Sequence, residues 1–191
     1  MAEQDRIVSQ AGLADENALL RASLAEMRAR LEELEQVADS DTLTPLPNRR
    51  RFVRELERVV SQCSRHGTPA AVVYLDINAL RSINERHGQL AGDAALIHAA
   101  RLLQNLIRTS DIAARIGGDE FGLILDHLDH NSAIETAERI GRCLASSPLD
   151  IGGTVVALGA AVGVATILPG DSAEDVMRRA DLNVKRAKTG F

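Results

Sequence analysis

Two adjacent carboxylates, Asp119 and Glu120, interrupt the apolar stretch ARIGGDEFGLIL at residues 114–125. They fall at the bend between two short runs, IAARI and FGLIL, that read as the arms of a hairpin. A third carboxylate, Asp76, lies at the end of AAVVYLDI, a continuous apolar run that predicts a central strand covered on both faces. Acids at neighbouring strand ends make an oxygen-rich edge suited to Mg²⁺, which takes hard ligands and retains waters. Gly117 and Gly118 are expected to supply positive φ for the turn and to leave bare backbone for a bulky anion. Gly and Asp are equally ordinary in a solvated turn, and on these five residues alone the two readings weigh the same.

The elements that must hold this edge follow from periodicity. Phe52, Leu56, Val59, Val60 and Cys63 mark one face of a helix. DAALIHAARLLQNLI reads as a deeply packed helix, and SAIETAERIGRCLAS as an amphipathic one. TVVALGAAVGVATI predicts one or two strands with glycine breaks. A closing helix, SAEDVMRRADLNVKRAK, opens with Ser172 three residues before Asp175, close to a capping box. Helices and strands alternate around one tight hairpin, so the class is α/β (α+β) with a central mixed sheet flanked by helices.

Upstream the pattern changes. Leu13, Asn17, Leu20, Leu24, Met27, Leu31, Leu34 and Ala38 alternate spacings of four and three, a heptad seam flanked by Glu and Arg. The stripe is too narrow for a helix lying on its own domain's core, so a coiled coil is expected, with Asn17 able to set register. Pro45 and Pro47 then break the helix. The expected organisation is a coiled-coil dimerisation helix over 1–38, a linker over 39–47 and a catalytic-type domain over 48–191.

Composition narrows the partners. The 191 residues are 45% hydrophobic with a net charge of −5, which leaves no basic stripe for nucleic acid. No apolar run approaches the ~20 residues of a membrane span, and the first residues carry no secretory pattern. The two cysteines, Cys63 and Cys143, read as reduced packing residues, so a cytoplasmic protein is expected.

Several separate motifs then agree in order and spacing. GGDEF at 117–121, DTLTPLPNRRRF at 41–52, LDINALRSINERHGQLAGDAAL at 75–96 and RADLNVKRAKTGF at 179–191 together resemble the GGDEF family, the diguanylate cyclases, over about residues 40–191. The resemblance implies a nucleotidyl-cyclase-like palm that binds GTP with Mg²⁺ or Mn²⁺. Two palms would meet face to face, condense two GTP into cyclic di-GMP, and release two pyrophosphates. By position, Asp76, the carbonyl of Ile77 and Asp119 would hold metal. Asp119 would also activate the attacking hydroxyl, with Glu120 as a helper. Asn84 and Asp93 match the guanine readers and Lys188 a phosphate contact, while Leu80 and Arg81 fall at substrate-binding positions. Asp93 as acceptor and Asn84 as donor suit guanine, whereas adenine would leave the carboxylate unpaired.

Arg108 and Asp111, with five residues between Asp111 and Gly117, match the family's inhibitory product site, an R-x-x-D motif. Arg139 falls where a second product-binding arginine is often found, although taken alone it reads as part of a solvated helix face. Departures from the pattern are Asn78 for a usual Asp, Leu80 for Phe, Arg81 for Lys, Val184-Lys185 for Leu-Tyr, and Phe191 at the position of a usual phosphate-contacting arginine. None removes an implied metal ligand, but Phe191 would weaken triphosphate binding. The competing expectation is therefore a catalytically weak module that binds GTP or cyclic di-GMP as a receptor or scaffold. DHLDH at 126–130 is too local for a closed metal site and reads as a loop.

Overall fold

The computed structural model describes residues 2–189, with side chains from residue 16 onward; Leu13's side chain and Phe191 lie outside the described residues. The chain divides into two compact units, one ending at Asp39 and one beginning at Ser40. The first unit is a single helix, α1, Ala2–Asp39. Its seam residues Leu20, Leu24, Met27, Leu31 and Leu34 are all between 50% and 64% exposed, an apolar stripe open to solvent within the chain.

The second unit starts with an ordered turn. Asp41 Oδ1 accepts from the amides of Leu43 and Thr44 and from the Thr44 hydroxyl, and Ser40 bridges Pro47. Helix α2, Arg49–His66, is capped by Asn48, whose side chain accepts from the Arg51 amide. It ends at Gly67 in the left-handed conformation, and the five residues expected on its apolar face are the five it buries. Strand β1, Ala70–Ile77, is buried along its whole length.

Two helices follow, α3 (Leu80–His87) and α4 (Gln89–Leu106). The second begins four residues before the apolar pattern suggests, because its first turn carries polar residues and the exposed Leu90. The hairpin arms are β2, Ile112–Arg115, and β3, Glu120–Asp126. Helix α5 (His130–Ser146) precedes a separate two-stranded ribbon of β4 (Leu149–Ile151) and β5 (Thr154–Val156). Strand β6 (Ala160–Thr166) and helix α6 (Ala173–Thr189) complete the unit.

The main sheet has the order β2-β3-β1-β6. All its ladders are antiparallel, and among the described residues the parallel component is confined to an isolated bridge between Asn48 and Arg115. Leu75 and Ile77 of β1 pack against α3, α4 and α5, while Val72 and Tyr74 pack against α2 and α6. The strand-long burial of β1 thus reflects a helical layer on each face.

Helix α6 sits unusually close to β6. A Cβ on Gly163 would lie within 2.5 Å of the Ala180 carbonyl oxygen and closer still to the Val184 amide nitrogen. Asn183 Nδ2 donates to the Val164 carbonyl at 2.8 Å, and Arg179 Nη2 to the Thr166 carbonyl at 2.9 Å. Backbone on both sides cannot yield cheaply, so Gly163→Ala should destabilise the chain by about 2–3 kcal/mol in urea unfolding. A loss below ~1 kcal/mol would show that α6 can shift outward freely.

Candidate functional site

The Gly117-Gly118 turn is shaped differently from the expectation. Neither glycine has positive φ. A Cβ on Gly117 would collide with the Glu120 carboxylate, so its value lies in the room it leaves for that side chain. Gly118 has open space around it and offers its carbonyl to Arg115, at 2.7 Å from Nη2 and 3.2 Å from Nε. The amides of Ile116 and Gly117 both donate to the Glu120 carbonyl, closing the turn.

Arg115 joins this turn to the start of the unit. Its Nη1 reaches Asp41 Oδ1 at 3.3 Å, and its amide donates to the Pro47 carbonyl at 2.9 Å. Partial burial pushes the Asp41 carboxyl up, but the Thr44 hydroxyl and amide and the Arg115 charge outweigh it and hold the group below its ordinary value. Sequence reasoning missed both residues as site components. The Asp-x-x-Thr spacing at 41–44 is a local signal for a side-chain-capped turn, whereas the Arg115 partner lies 74 residues away.

The end of β1 is fixed from two sides. The Ile77 amide donates to the Asp119 carbonyl at 2.9 Å and the Asn78 amide to the Gly159 carbonyl at 2.8 Å. Asp76 stands opposite Glu120 in register, so both side chains leave the same face of the sheet. Asp76 is 8% exposed, and its Oδ2 is 2.5 Å from Lys188 Nζ. Among the described residues, no three His, Cys, Asp or Glu side chains converge to hold a metal unaided.

A cavity of about 400 Å³ opens beside the turn. Leu80, Arg81 and Asn84 of α3 line it, with Gly92 and Asp93 of α4 and Asp119 of the turn. The structure therefore brings together every residue assigned to the base, together with Asp119. Asn84 Oδ1 is buried without a hydrogen-bond partner, against the bare backbone of Gly92. Such an atom is costly unless a donor meets it. Lys188 lies elsewhere, on Asp76.

Glu120 lines a second cavity with Tyr74, Arg49 and Asp181. The Tyr74 hydroxyl is buried without a partner; burial pushes it up to about 12, Arg49 opposing the rise and Glu120 and Asp181 adding to it. Nothing in the sequence distinguishes this tyrosine from an ordinary core residue.

Arg108, Asp111 and Arg139 form a separate group. Asp111 accepts from the Arg108 amide at 3.0 Å and from the Asp126 amide at 3.2 Å. Arg139 Nη2 donates to the Leu106 carbonyl at 3.3 Å, which brings this guanidinium to the end of α4 just before Arg108. Asp126 ends β3 and Glu120 begins it. At ~3.4 Å per residue, about 20 Å of strand separates the two groups.

An antiparallel sheet with carboxylates at two adjoining strand ends, beside a nucleotide-sized cavity, is the arrangement of a GGDEF fold. The family model described as "Diguanylate cyclase, GGDEF domain" matches residues 38–190, and the chain belongs to that family. It is 34% identical over 169 residues to an uncharacterised signalling protein of Caulobacter vibrioides, covering 86% of this chain and 21% of that one. It is 33% identical over 158 residues to the diguanylate cyclase DgcP of Pseudomonas aeruginosa, covering 83% and 24%. The chain thus spans about a fifth to a quarter of these relatives' length. Among solved structures, the coiled coil and GGDEF domain of DgcB from Caulobacter crescentus, in complex with c-di-GMP, is similar at a TM-score of 0.82 and 30% identity, covering 95% of this chain and 94% of that one. The diguanylate cyclase SiaD of Pseudomonas aeruginosa, in complex with its activator SiaC, gives 0.82 and 26%, covering 99% and 73%.

The Asp41 carboxyl is held below its ordinary value, so its contribution to stability is complete above the unfolded pKa of about 3.9 and is lost as pH falls through the lower folded value. Asp41→Asn should lower stability at pH 7 and flatten the acid limb of the stability profile below about pH 4. Parallel profiles for the two proteins in urea unfolding across that range would remove Asp41 as a contributor.

Proposed function

We propose that the chain is a diguanylate cyclase that condenses two GTP into cyclic di-GMP and two pyrophosphates. The observation that carries this reading is the cavity shared by Asn84, Asp93 and Asp119, with Asp76 at the adjoining strand end. Asp93 accepts from the guanine edge and Asn84 completes the reading of the base, which orients the ribose and α-phosphate toward the turn. Leu80 and Arg81 bound the same pocket, and Arg81 is tied to Glu85 at 2.9 Å and open to solvent.

The donors at the strand ends are all hard oxygens: the carboxylates of Asp76 and Asp119, the Ile77 carbonyl, and Glu120 as a helper. They fit Mg²⁺ or Mn²⁺, with triphosphate oxygens completing the set. A bound divalent ion would supply charge stabilisation at the transferring phosphorus and the departing pyrophosphate. Asp119 takes the proton from the 3′-hydroxyl, whose oxygen forms the new bond to the α-phosphorus of the opposite GTP as the bond to pyrophosphate breaks. Lys188 contributes positive charge to the phosphates.

Each GTP must meet a second domain, and the open seam of α1 supports pairing with another copy of the chain. A parallel or antiparallel pair would raise the local concentration of domains to roughly millimolar. Arg108, Asp111 and Arg139 form a product site about 20 Å from the turn, able to inhibit by holding two domains out of register without altering the pocket. No helix among the described residues is long and apolar enough to cross a membrane, and a cytoplasmic location, where GTP is present, is part of this reading. The departures at Asn78 and Leu80 support a second reading, a weak enzyme that acts chiefly as a nucleotide receptor.

Incubation with GTP and Mg²⁺ should yield cyclic di-GMP and pyrophosphate in a ratio of one to two. Asp119→Asn should lower the rate by about two to four orders of magnitude while leaving the unfolding midpoint nearly unchanged. No product from the wild-type chain, alongside measurable binding of cyclic di-GMP, would replace the enzyme reading with the receptor one.

Arg108→Ala should abolish calorimetric binding of cyclic di-GMP outside the active site and relieve product inhibition, with the initial rate within about twofold of wild type. Undiminished affinity in that variant would show that the product binds elsewhere.

A further inference from the structure

Asp76 is the next-to-last residue of a strand otherwise made of Ala, Val, Tyr, Leu and Ile, and at 8% exposure it has lost most of its water. A carboxylate in that position needs a cation. The cation present is the ammonium of Lys188, at 2.5 Å, delivered from the last turn of α6. The middle of that helix is held firmly, by the close approach at Gly163 and the Asn183 bond to Val164. Its final turn is different. Lys188 is 43% exposed and carries its charge on a flexible four-carbon stem, so it can leave Asp76 without moving the helix.

We propose that Lys188 is a stand-in for the divalent ion. In the nucleotide-free protein its ammonium neutralises Asp76, and it gives the carboxylate up only when another anion is available to receive it. This rests on the reading of Asp76 as a metal ligand. A divalent ion arriving alone must displace the ammonium or sit beside a like charge, and either weakens its binding. A triphosphate removes the obstacle, because the ammonium can transfer to a phosphate oxygen as Asp76 turns to the ion. Metal and nucleotide therefore bind with positive coupling, and Lys188 is the residue that couples them. The lack of three converging acidic side chains among the described residues agrees with a site that is not built to hold an ion by itself.

The test is Mn²⁺ binding to the full chain without nucleotide, read by electron paramagnetic resonance of the free ion. Lys188→Met should bind Mn²⁺ roughly five- to tenfold more tightly than wild type, since the ion no longer competes with a partly exposed ion pair. Lys188→Arg, which keeps the charge, should stay near wild type. Lys185→Met is the control for net charge, because Lys185 pairs with Asp181 at 2.7 Å, and it too should stay near wild type. In thermal melts, Lys188→Met should be less stable than wild type in chelator and gain more from Mn²⁺. Should Lys188→Met fail to fold, Lys188→Gln serves in the same titration. Equal affinities for wild type and the neutral variants, a gain in Lys185→Met as large as in Lys188→Met, or no Mn²⁺ bound by any variant would overturn the proposal. Synthesis of cyclic di-GMP with equal Mn²⁺ affinities removes the proposal and keeps the cyclase. The expected Mn²⁺ order in a chain that makes no product keeps the proposal and removes the cyclase.

Discussion

One guanidinium holds the working end of the second unit together. Arg115 donates twice to the Gly118 carbonyl, from Nη1 to both carboxylate oxygens of Asp41, and through its amide to Pro47. A two-glycine turn on its own would sample many conformations, and the carboxylate that follows would have no fixed direction. The planar fork of an arginine removes that freedom with several bonds from a single side chain. It also makes the turn dependent on the segment just after Asp39, so the geometry at Asp119 cannot be specified without the loop at 40–48. The sheet supplies the remaining restraint through the pairing of Ile77 with Asp119.

How much of this was legible in the sequence varies with the range of the interaction. The apolar face of α2 could be read to the residue, because helical period and burial act within one element. The strand β1 and the hairpin arms were legible for the same reason. Asn84 and Asp93 are in one cavity because α3 and α4 turn back at Gly88, a local event with a local signal. The role of Gly117 was misread, since the backbone there is ordinary and the constraint is the carboxylate of Glu120 three residues on. The Arg115–Asp41 tie and the pairing of Lys188 with Asp76 join residues far apart in the chain, and no spacing rule reaches across such separations.

The two groups of candidate side chains differ in how they satisfy their charges. Asp111 has amide donors of its own from Arg108 and Asp126, so its turn is complete with or without a ligand. Asp76, Asn84 and Tyr74 are not complete in this sense, being either paired with a movable lysine or left without a partner. Unsatisfied buried polar atoms raise the free energy of the empty site and so sharpen the response to whatever fills it.

The two outer strands of the sheet each have part of their outward backbone already bonded. On β6, the Val164 and Thr166 carbonyls already accept from Asn183 and Arg179. On β2, the partner at Arg115 is the carbonyl of a proline, which has no amide to continue a ladder. Strand addition at either border therefore meets backbone groups that are already taken, which shortens the template a second chain could use. Association through helical surfaces would form and dissolve without rewriting backbone hydrogen bonds. In the proposed reaction, where two domains would meet and part at each turnover, such contacts would keep the encounter reversible.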